Sequence, residues 1–422
     1  MTASNTGTST GAAKLGSAPV RGAIIVGIGI AVCQVLNYLL SLVSARLLGP
    51  DGFGAFASLL ALTLIGGVVA LGLQAVAARR LVLLPDNQRD NGGAGILRST
   101  LIAAAATAIV TAILSPFLSY LLHISGVASV FFVAVTLFPL TVFGGILGIA
   151  QGREQNGRLA WIYVLNGMSR AVGGIVGLVI GDTVLSTMIG LAIGSVVFSL
   201  VAMLLVRPLV ARPAIKLPTF GRETAHAAHS LLALFVLTSV DVLLARHFLP
   251  ASSAGMYAAG AIVEKVTFWL PLFVAVAAFP RMADHRRDST LTIAALAVAL
   301  IGVVATVAVA LLPNLVVKFV GGEAYSSLAS EVWVFAAAGS AFGLAQFLLY
   351  SHLAAGNRRA VAVLWVATAV LIAAVWTFRH GSVLQIVTTV LAVALGVCLV
   401  GIIELVAERK FRQPQPVVVE AV

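Results

Sequence analysis

Charge is what this chain has least of. Asp, Glu, Lys and Arg make up 10% of its 422 residues, where an ordinary globular chain carries about 25%. Hydrophobic residues reach 60% and mean hydropathy is +1.08. A soluble protein is thereby excluded. Cysteine is almost absent as well: Cys33 and Cys398 lie far apart, each inside an apolar run. They read as small buried hydrophobes, and neither a disulfide framework nor a metal site is expected. The chain has no Walker loop, no H-E-x-x-H pair and no G-x-S-x-G elbow, and its seven histidines are scattered. No enzyme activity, metal or cofactor is expected. Without a nucleotide site, any transport is driven by an ion gradient, H+ or Na+, or runs downhill. The formal net charge of +11 does not imply nucleic acid, because no soluble domain is available to carry a basic face.

What is present is a succession of apolar runs. A helical span needs about 20 mostly apolar residues. Twelve are read, at 22–48, 53–78, 99–122, 126–151, 159–180, 184–206, 228–248, 255–280, 290–312, 330–355, 360–378 and 383–407. The first 20 residues lack the short apolar core and cleavage site of a signal peptide, so the first run is expected to stay as a span. The basic residues test this count. Twenty of the 26 Lys and Arg fall in the two tails and the loops of one side. Only Arg46, Arg246, Lys318 and Arg379 sit at the other side, and Arg170 and Lys265 lie within spans. Positive loops face the cytoplasm, so a multi-pass protein of the cell (plasma or inner) membrane with both termini cytoplasmic is expected. The net charge is then mostly topology, with attraction to anionic membrane lipid as a by-product.

The organisation that follows is an all-α integral membrane protein in two six-helix lobes. A cytoplasmic tail covers 1–20, an N-lobe 21–207, a linker 208–227, a C-lobe 228–407 and a second tail 408–422. The linker holds Pro208, Pro213 and Pro218 and falls at the midpoint. Loops on the outer side are short, so no external domain is available for catalysis or for a large partner.

The two lobes share a loose repeat. Ala45-Arg46-Leu-Leu-Gly-Pro50-Asp-Gly-Phe-Gly54 returns as Ala245-Arg246-His-Phe-Leu-Pro250-Ala-Ser-Ser-Ala-Gly255. Pro50 and Pro250 are offset by 200 residues, Gly54 and Gly255 by 201. Six spans per lobe make the copies parallel, related by an axis along the membrane normal. They differ in one respect that bears on function: Asp241 stands where the first copy has Ser41.

Polar residues deep in spans are the candidates for function, since a charge there is costly and normally faces a partner or water. Arg170 lies mid-span with Asn166 one turn before it, and no carboxylate is one turn away on its own helix. Glu264, Lys265 and Asp241 lie deep in the eighth and seventh spans. Two readings stand for Asp241 and Glu264: coupling groups, or structural ion pairs, for example Asp241 with Arg246 or Lys265. Arg46 and Arg246 are near span ends, where snorkelling to the interface explains them equally well. Gln34, Asn37 and Gln74 either line a path or bond between helices. A path built on Arg170, Lys265, Arg46 and Arg246 tilts positive and suits a phosphate-bearing anion, since a guanidinium forks onto phosphate oxygens. Gly144, Gly148 and Gly152, with Gly173/Gly177 and Gly190/Gly194, read as packing stripes. Pro139 and Pro271 fall inside spans and are either hinges or static kinks.

Several segments carry a family resemblance. Ala45-Arg46-Leu-Leu-Gly-Pro50-Asp-Gly-Phe-Gly54 is similar to an "ARxLGPxxFG" opening. Asp241 through Gly255-Met-Tyr257 resembles a "D-x-x-L … G-x-Y" segment, followed by Phe279-Pro280-Arg281. Gln151-Gly152 and Gly321-Gly322-Glu-Ala-Tyr325 also match. By these the chain resembles the polysaccharide-export, Wzx-type branch of the multidrug/oligosaccharidyl-lipid/polysaccharide (MOP, MATE-like) exporter superfamily. The resemblance implies a V-shaped two-lobed bundle working by alternating access. It implies a polyprenyl-linked glycan as cargo, with polysaccharide assembly proteins as partners. A cation-coupled multidrug exporter of the same superfamily is the alternative, and a membrane-embedded glycan polymerase or ligase a third reading.

Overall fold

A computed structural model describes residues 17–210, 217–270, 287–354 and 359–411. Among these residues all regular structure is helical. The two tails beyond 17–411, Pro271 and the Phe279-Pro280-Arg281 segment lie outside the described residues.

The first helix, α1, runs Ser17–Gly66 and kinks at Gly49, whose φ of 64° and ψ of 179° are not helical. Only glycine takes that backbone cheaply, and Pro50 next to it is suited to start a helix, not to lie inside one. α1 therefore holds two apolar helices, broken where the short Gly49–Gly52 connection is expected. The repeat does the same thing 200 residues on. There α8 (Val240–Phe248) ends at an extended Leu249, and Pro250 caps α9 (Ala251–Trp269).

By internal packing the chain divides into two compact units, residues 1–235 and 236–422. In the first, α1 is followed by α2 (Val68–Leu83), α3 (Arg89–Leu121), α4 (Val127–Gly152), α5 (Asn156–Gly181) and α6 (Val184–Val206). The glycine stripes are where these helices meet. Gly144, Gly148 and Gly152 of α4 abut Ala70, Gln74 and Ala78 of α2. On α5, a methyl group at Gly173 would come 2.5 Å from the Gly190 carbonyl and 2.9 Å from Gly194 Cα, both on α6. With no slack at that crossing, Gly173→Ala is expected to destabilise by about 1–3 kcal/mol. A fall in the unfolding midpoint of the detergent-solubilised protein checks it. An unchanged midpoint would mean the α5–α6 crossing is looser than described.

The next helix, α7, runs Phe220–Leu237. Residues 220–227, expected in the linker, are thus helical. The reason is local: Phe220 and Thr224 are buried, and Gly72 of α2 seats against Thr224 and Ala228. Arg80 adds a clamp, donating to both Glu223 carboxylate oxygens, to Thr219 Oγ1 at 2.8 Å and to the Pro218 carbonyl at 3.3 Å.

The expected seventh span is consequently longer and broken. α7 and α8 are separated by Thr238 and Ser239 and bent by 45°. In the second unit α9 leads past the undescribed stretch to α10 (Arg287–Leu311), α11 (Pro313–Val320), α12 (Val332–Ala354), α13 (Arg359–Thr377) and α14 (Val383–Phe411). α11 starts at Pro313, just past the outer end of the ninth run, with Leu312 as its N-cap. Gly321 and Gly322 of the recognised motif then serve Tyr325. The fully buried Tyr325 ring sits against Gly321, and Gly322 takes a φ of 81°.

Among the described residues, seven helices are long and apolar enough to cross a membrane, or up to nine if each bent pair is one span. One of the seven, Arg21–Leu83, is 63 residues long and contains the Gly49 kink. The surface agrees with a lipid solvent: Ile113 and Ile180 are exposed while Ser44, Ser58, Thr100 and Thr141 are buried. Several buried hydroxyls return to their own helix, as Thr63 does to the Leu59 carbonyl and Thr141 to that of Leu137. Both cysteines are buried and unpaired, and Cys398 donates to the Ala341 carbonyl between α14 and α12.

Candidate functional site

Each unit holds its own polar cluster. In the first, α1 and α5 run side by side, with Gly167 against the Cys33 backbone and Gly174 against Leu40. This pairing brings Gln34, Asn37 and Cys33 of α1 near Asn166 and Arg170 of α5. Asn37 donates to Gln34 Oε1 at 3.3 Å and to Cys33 Sγ at 3.8 Å. Arg170 lies within electrostatic range of Cys33. Among the described residues no hydrogen bond or ion pair engages its guanidinium. The Oδ1 atoms of Asn37 and Asn166 are likewise buried with no partner. A guanidinium with free donors thus stands beside two amide oxygens with free acceptor capacity. Toward α2 and α4, Gln74 donates to Gln151 Oε1 at 2.9 Å and to the Tyr163 hydroxyl at 2.8 Å. Gln74 thus bonds across helices.

The second cluster gathers at the break between α7 and α8. A continuous helix leaves no backbone group unsatisfied, but a break frees carbonyls on one side and N–H groups on the other. Ser239 is the N-cap of α8, so the carbonyl of Thr238 just before it has no helical N–H to accept from. Lys265 of α9 donates to that carbonyl and approaches Glu264 Oε1 at 3.5 Å. Asp241 sits in the first turn of α8, where a carboxylate meets the positive end of the helix dipole. It is fully buried and accepts from the Tyr257 hydroxyl at 2.8 Å. Tyr257 is held edge-on by Phe335 of α12, ring centroids 5.1 Å apart. Gly339 of the same helix lets α12 close onto the Glu264 backbone. Among the described residues, Asp241 Oδ1 and Glu264 Oε2 are buried with no hydrogen-bond partner.

The sequence candidates fall into one cluster within each unit. Arg170, Asn166, Asn37 and Gln34 share one cluster, and Lys265, Asp241 and Glu264 the other. Arg46 is exposed and Arg246 half-buried, and each has an interaction partner. Asp241 takes its hydrogen bond from Tyr257, a residue that sequence reasoning quoted in a motif but gave no role. The repeat holds the signal that was missed. At the 201-residue offset, Tyr257, Glu264 and Lys265 correspond to Phe56, Thr63 and Leu64. Together with Asp241 for Ser41, all four ionisable groups stand where the first copy is neutral. Tyr257→Phe restores the first copy's residue and strips Asp241 of its donor. The expected loss is about 1–3 kcal/mol of stability, read as a lower unfolding midpoint; no loss would show that Asp241 does not depend on that bond.

A family model described as polysaccharide biosynthesis protein matches residues 20–286, well over half the chain. The chain belongs to the polysaccharide biosynthesis protein family. Solved structures place this family member's fold among the MOP-superfamily transporters. A lipid II flippase MurJ in an inward closed conformation superposes with a TM-score of 0.73 at 12% identity, covering 93% of this chain and 94% of that one. An inward-facing MATE multidrug resistance transporter of the MOP superfamily gives 0.68 at 13% identity, covering 90% and 96%. A MOP transporter from Pyrococcus furiosus, described as having a binding pocket of reverse polarity, gives 0.55 at 14%, covering 93% and 97%. At such identities the likeness is one of fold. A comparison with curated protein sequences finds no match.

Proposed function

We propose that this polysaccharide biosynthesis protein is a flippase carrying an anionic lipid-linked oligosaccharide or polysaccharide intermediate from the cytoplasmic to the outer leaflet of the cell membrane. The observation that carries the reading is Arg170: a mid-span guanidinium with no hydrogen bond or ion pair among the described residues, beside the amide oxygens of Asn37 and Asn166, which are likewise unpartnered among them. Guanidinium donors suit phosphate oxygens, and amide oxygens suit sugar hydroxyls. A sugar phosphate offers both at once. The polyprenyl tail stays in lipid while the head crosses by alternating access, with both termini in the cytoplasm. The family description and the likeness to a lipid II flippase support this cargo class, and assembly proteins that supply or receive the glycan are its natural partners.

Asp241 and Glu264 are the coupling groups of this reading, exchanging a cation with the gradient that drives transport. The multidrug exporter reading draws on the same carboxylates, but here they face Tyr257 and Lys265, which leaves them poorly placed to receive a drug cation. Depletion of the protein in cells, followed by labelling of lipid-linked glycan on each membrane face, tests the proposal. Glycan accumulating on the cytoplasmic face is expected. Unchanged sidedness would sink it.

A further inference from the structure

The ammonium of Lys265 occupies a position with the attributes of a cation site. The carbonyl of Thr238 at the helix break accepts from it, Glu264 Oε1 lies 3.5 Å away, and the buried carboxylate of Asp241, which accepts from the Tyr257 hydroxyl, is within electrostatic range. Carbonyl and carboxylate oxygens of this kind are what a hard monovalent ion binds when a span is interrupted. Here the positive charge is covalently part of the chain. Only 20% of the Lys265 side chain is exposed, and its stem crosses from α9 to the α7–α8 break. The repeat supplies a second observation. Where the first copy lacks the acids, having Ser41 and Thr63, it also lacks the lysine, having Leu64. Acids and ammonium come as a set.

We propose that Lys265 is a resident cation: it fills from within the chain the place an exchangeable metal cation would otherwise take, and so restricts the coupling centre to protons. The assignment deepens the coupling role proposed above and rests on it for its link to transport. The titratable groups around Lys265 are Asp241 of α8 and Tyr257 and Glu264 of α9. From α12, residues 332–348 contribute none. Among the described residues, Asp241 and Glu264 each keep one oxygen with no hydrogen-bond partner, so a proton can be added there without displacing the ammonium. A sodium ion would have to compete with a tethered charge of the same sign at contact distance.

The test compares full-length protein in detergent with NaCl, with choline chloride and with ethylammonium chloride, at equal ionic strength. Wild type is expected to show the same unfolding midpoint in all three. Lys265→Ala, and Lys265→Gln as a bulkier neutral replacement, are expected to be destabilised in choline. Sodium or ethylammonium should then raise their midpoints by about 3 °C or more, because a ligand that binds only the folded state stabilises it. Sodium-specific stabilisation of wild type would overturn the proposal. So would variants that respond to neither cation, or that fail to fold in every salt, since the vacated site would then accept no free ion. This readout does not involve transport. If transport proves independent of any ion gradient while the cation response holds, the coupling reading fails and the resident cation stands.

Discussion

Arg170→Ala is expected to lower transport of the lipid-linked glycan about 10- to 100-fold, the loss of one set of charge-assisted hydrogen bonds to an anion. Membrane insertion should be unaffected, because among the described residues the guanidinium makes no hydrogen bond or ion pair that the fold would miss. That separation is unusual for a residue in the middle of a span. A buried arginine retained for stability would be paired, and its removal would leave a partner unpaired as well. Arg170→Lys keeps the charge but loses the fork, so transport should fall between wild type and alanine. Transport rates in vesicles, set against the amount of inserted protein, decide the matter. Normal transport by Arg170→Ala would return the residue to a packing role.

Glu264 should behave in the opposite way, as a residue the fold does miss. It is 1% exposed and lies 3.5 Å from the Lys265 ammonium. Glu264→Ala removes one of the ammonium's acidic neighbours and is expected to cost about 3–5 kcal/mol, as truncating one side of a buried pair does. Glu264→Gln keeps the shape and a hydrogen-bonding oxygen, so it should retain more stability. It should nevertheless lose the response of transport to an imposed ion gradient. Unfolding midpoints for the two variants, together with gradient-dependent flux for Glu264→Gln, separate structure from coupling. Full gradient response in Glu264→Gln would remove Glu264 from the coupling path.

How much of this was legible in the sequence depended on whether the signal was local. The kink at Gly49 and its counterpart at Leu249–Pro250 could be read directly, because a glycine or proline dictates backbone wherever it stands. The glycine stripes on α4, α5 and α6 were likewise readable as packing, since spacing alone puts them on one face. The break at Thr238–Ser239 was not. Neither residue breaks a helix by its own propensity, and the interruption depends on Lys265, 27 residues later, satisfying the freed carbonyl. The helical start at Phe220 was hidden for the same reason: it is held by Arg80 and Gly72, far away in sequence. Of the candidate site, Arg170 with Asn166 followed from one helical turn. Asn37 joined them only once α1 and α5 were seen to pair, and Tyr257 emerged as the partner of Asp241 only in three dimensions.

We propose that this chain moves a lipid-linked sugar phosphate across the bilayer. The most direct test is purified protein in vesicles containing a fluorescent polyprenyl diphosphate sugar, challenged from outside with a membrane-impermeant reagent that destroys the sugar. Wild-type protein is predicted to expose the inner-leaflet pool to the reagent, and Arg170→Ala vesicles are predicted to expose it about 10- to 100-fold more slowly. An inner-leaflet pool that stays protected in wild-type vesicles, with and without an imposed proton gradient, would contradict the account.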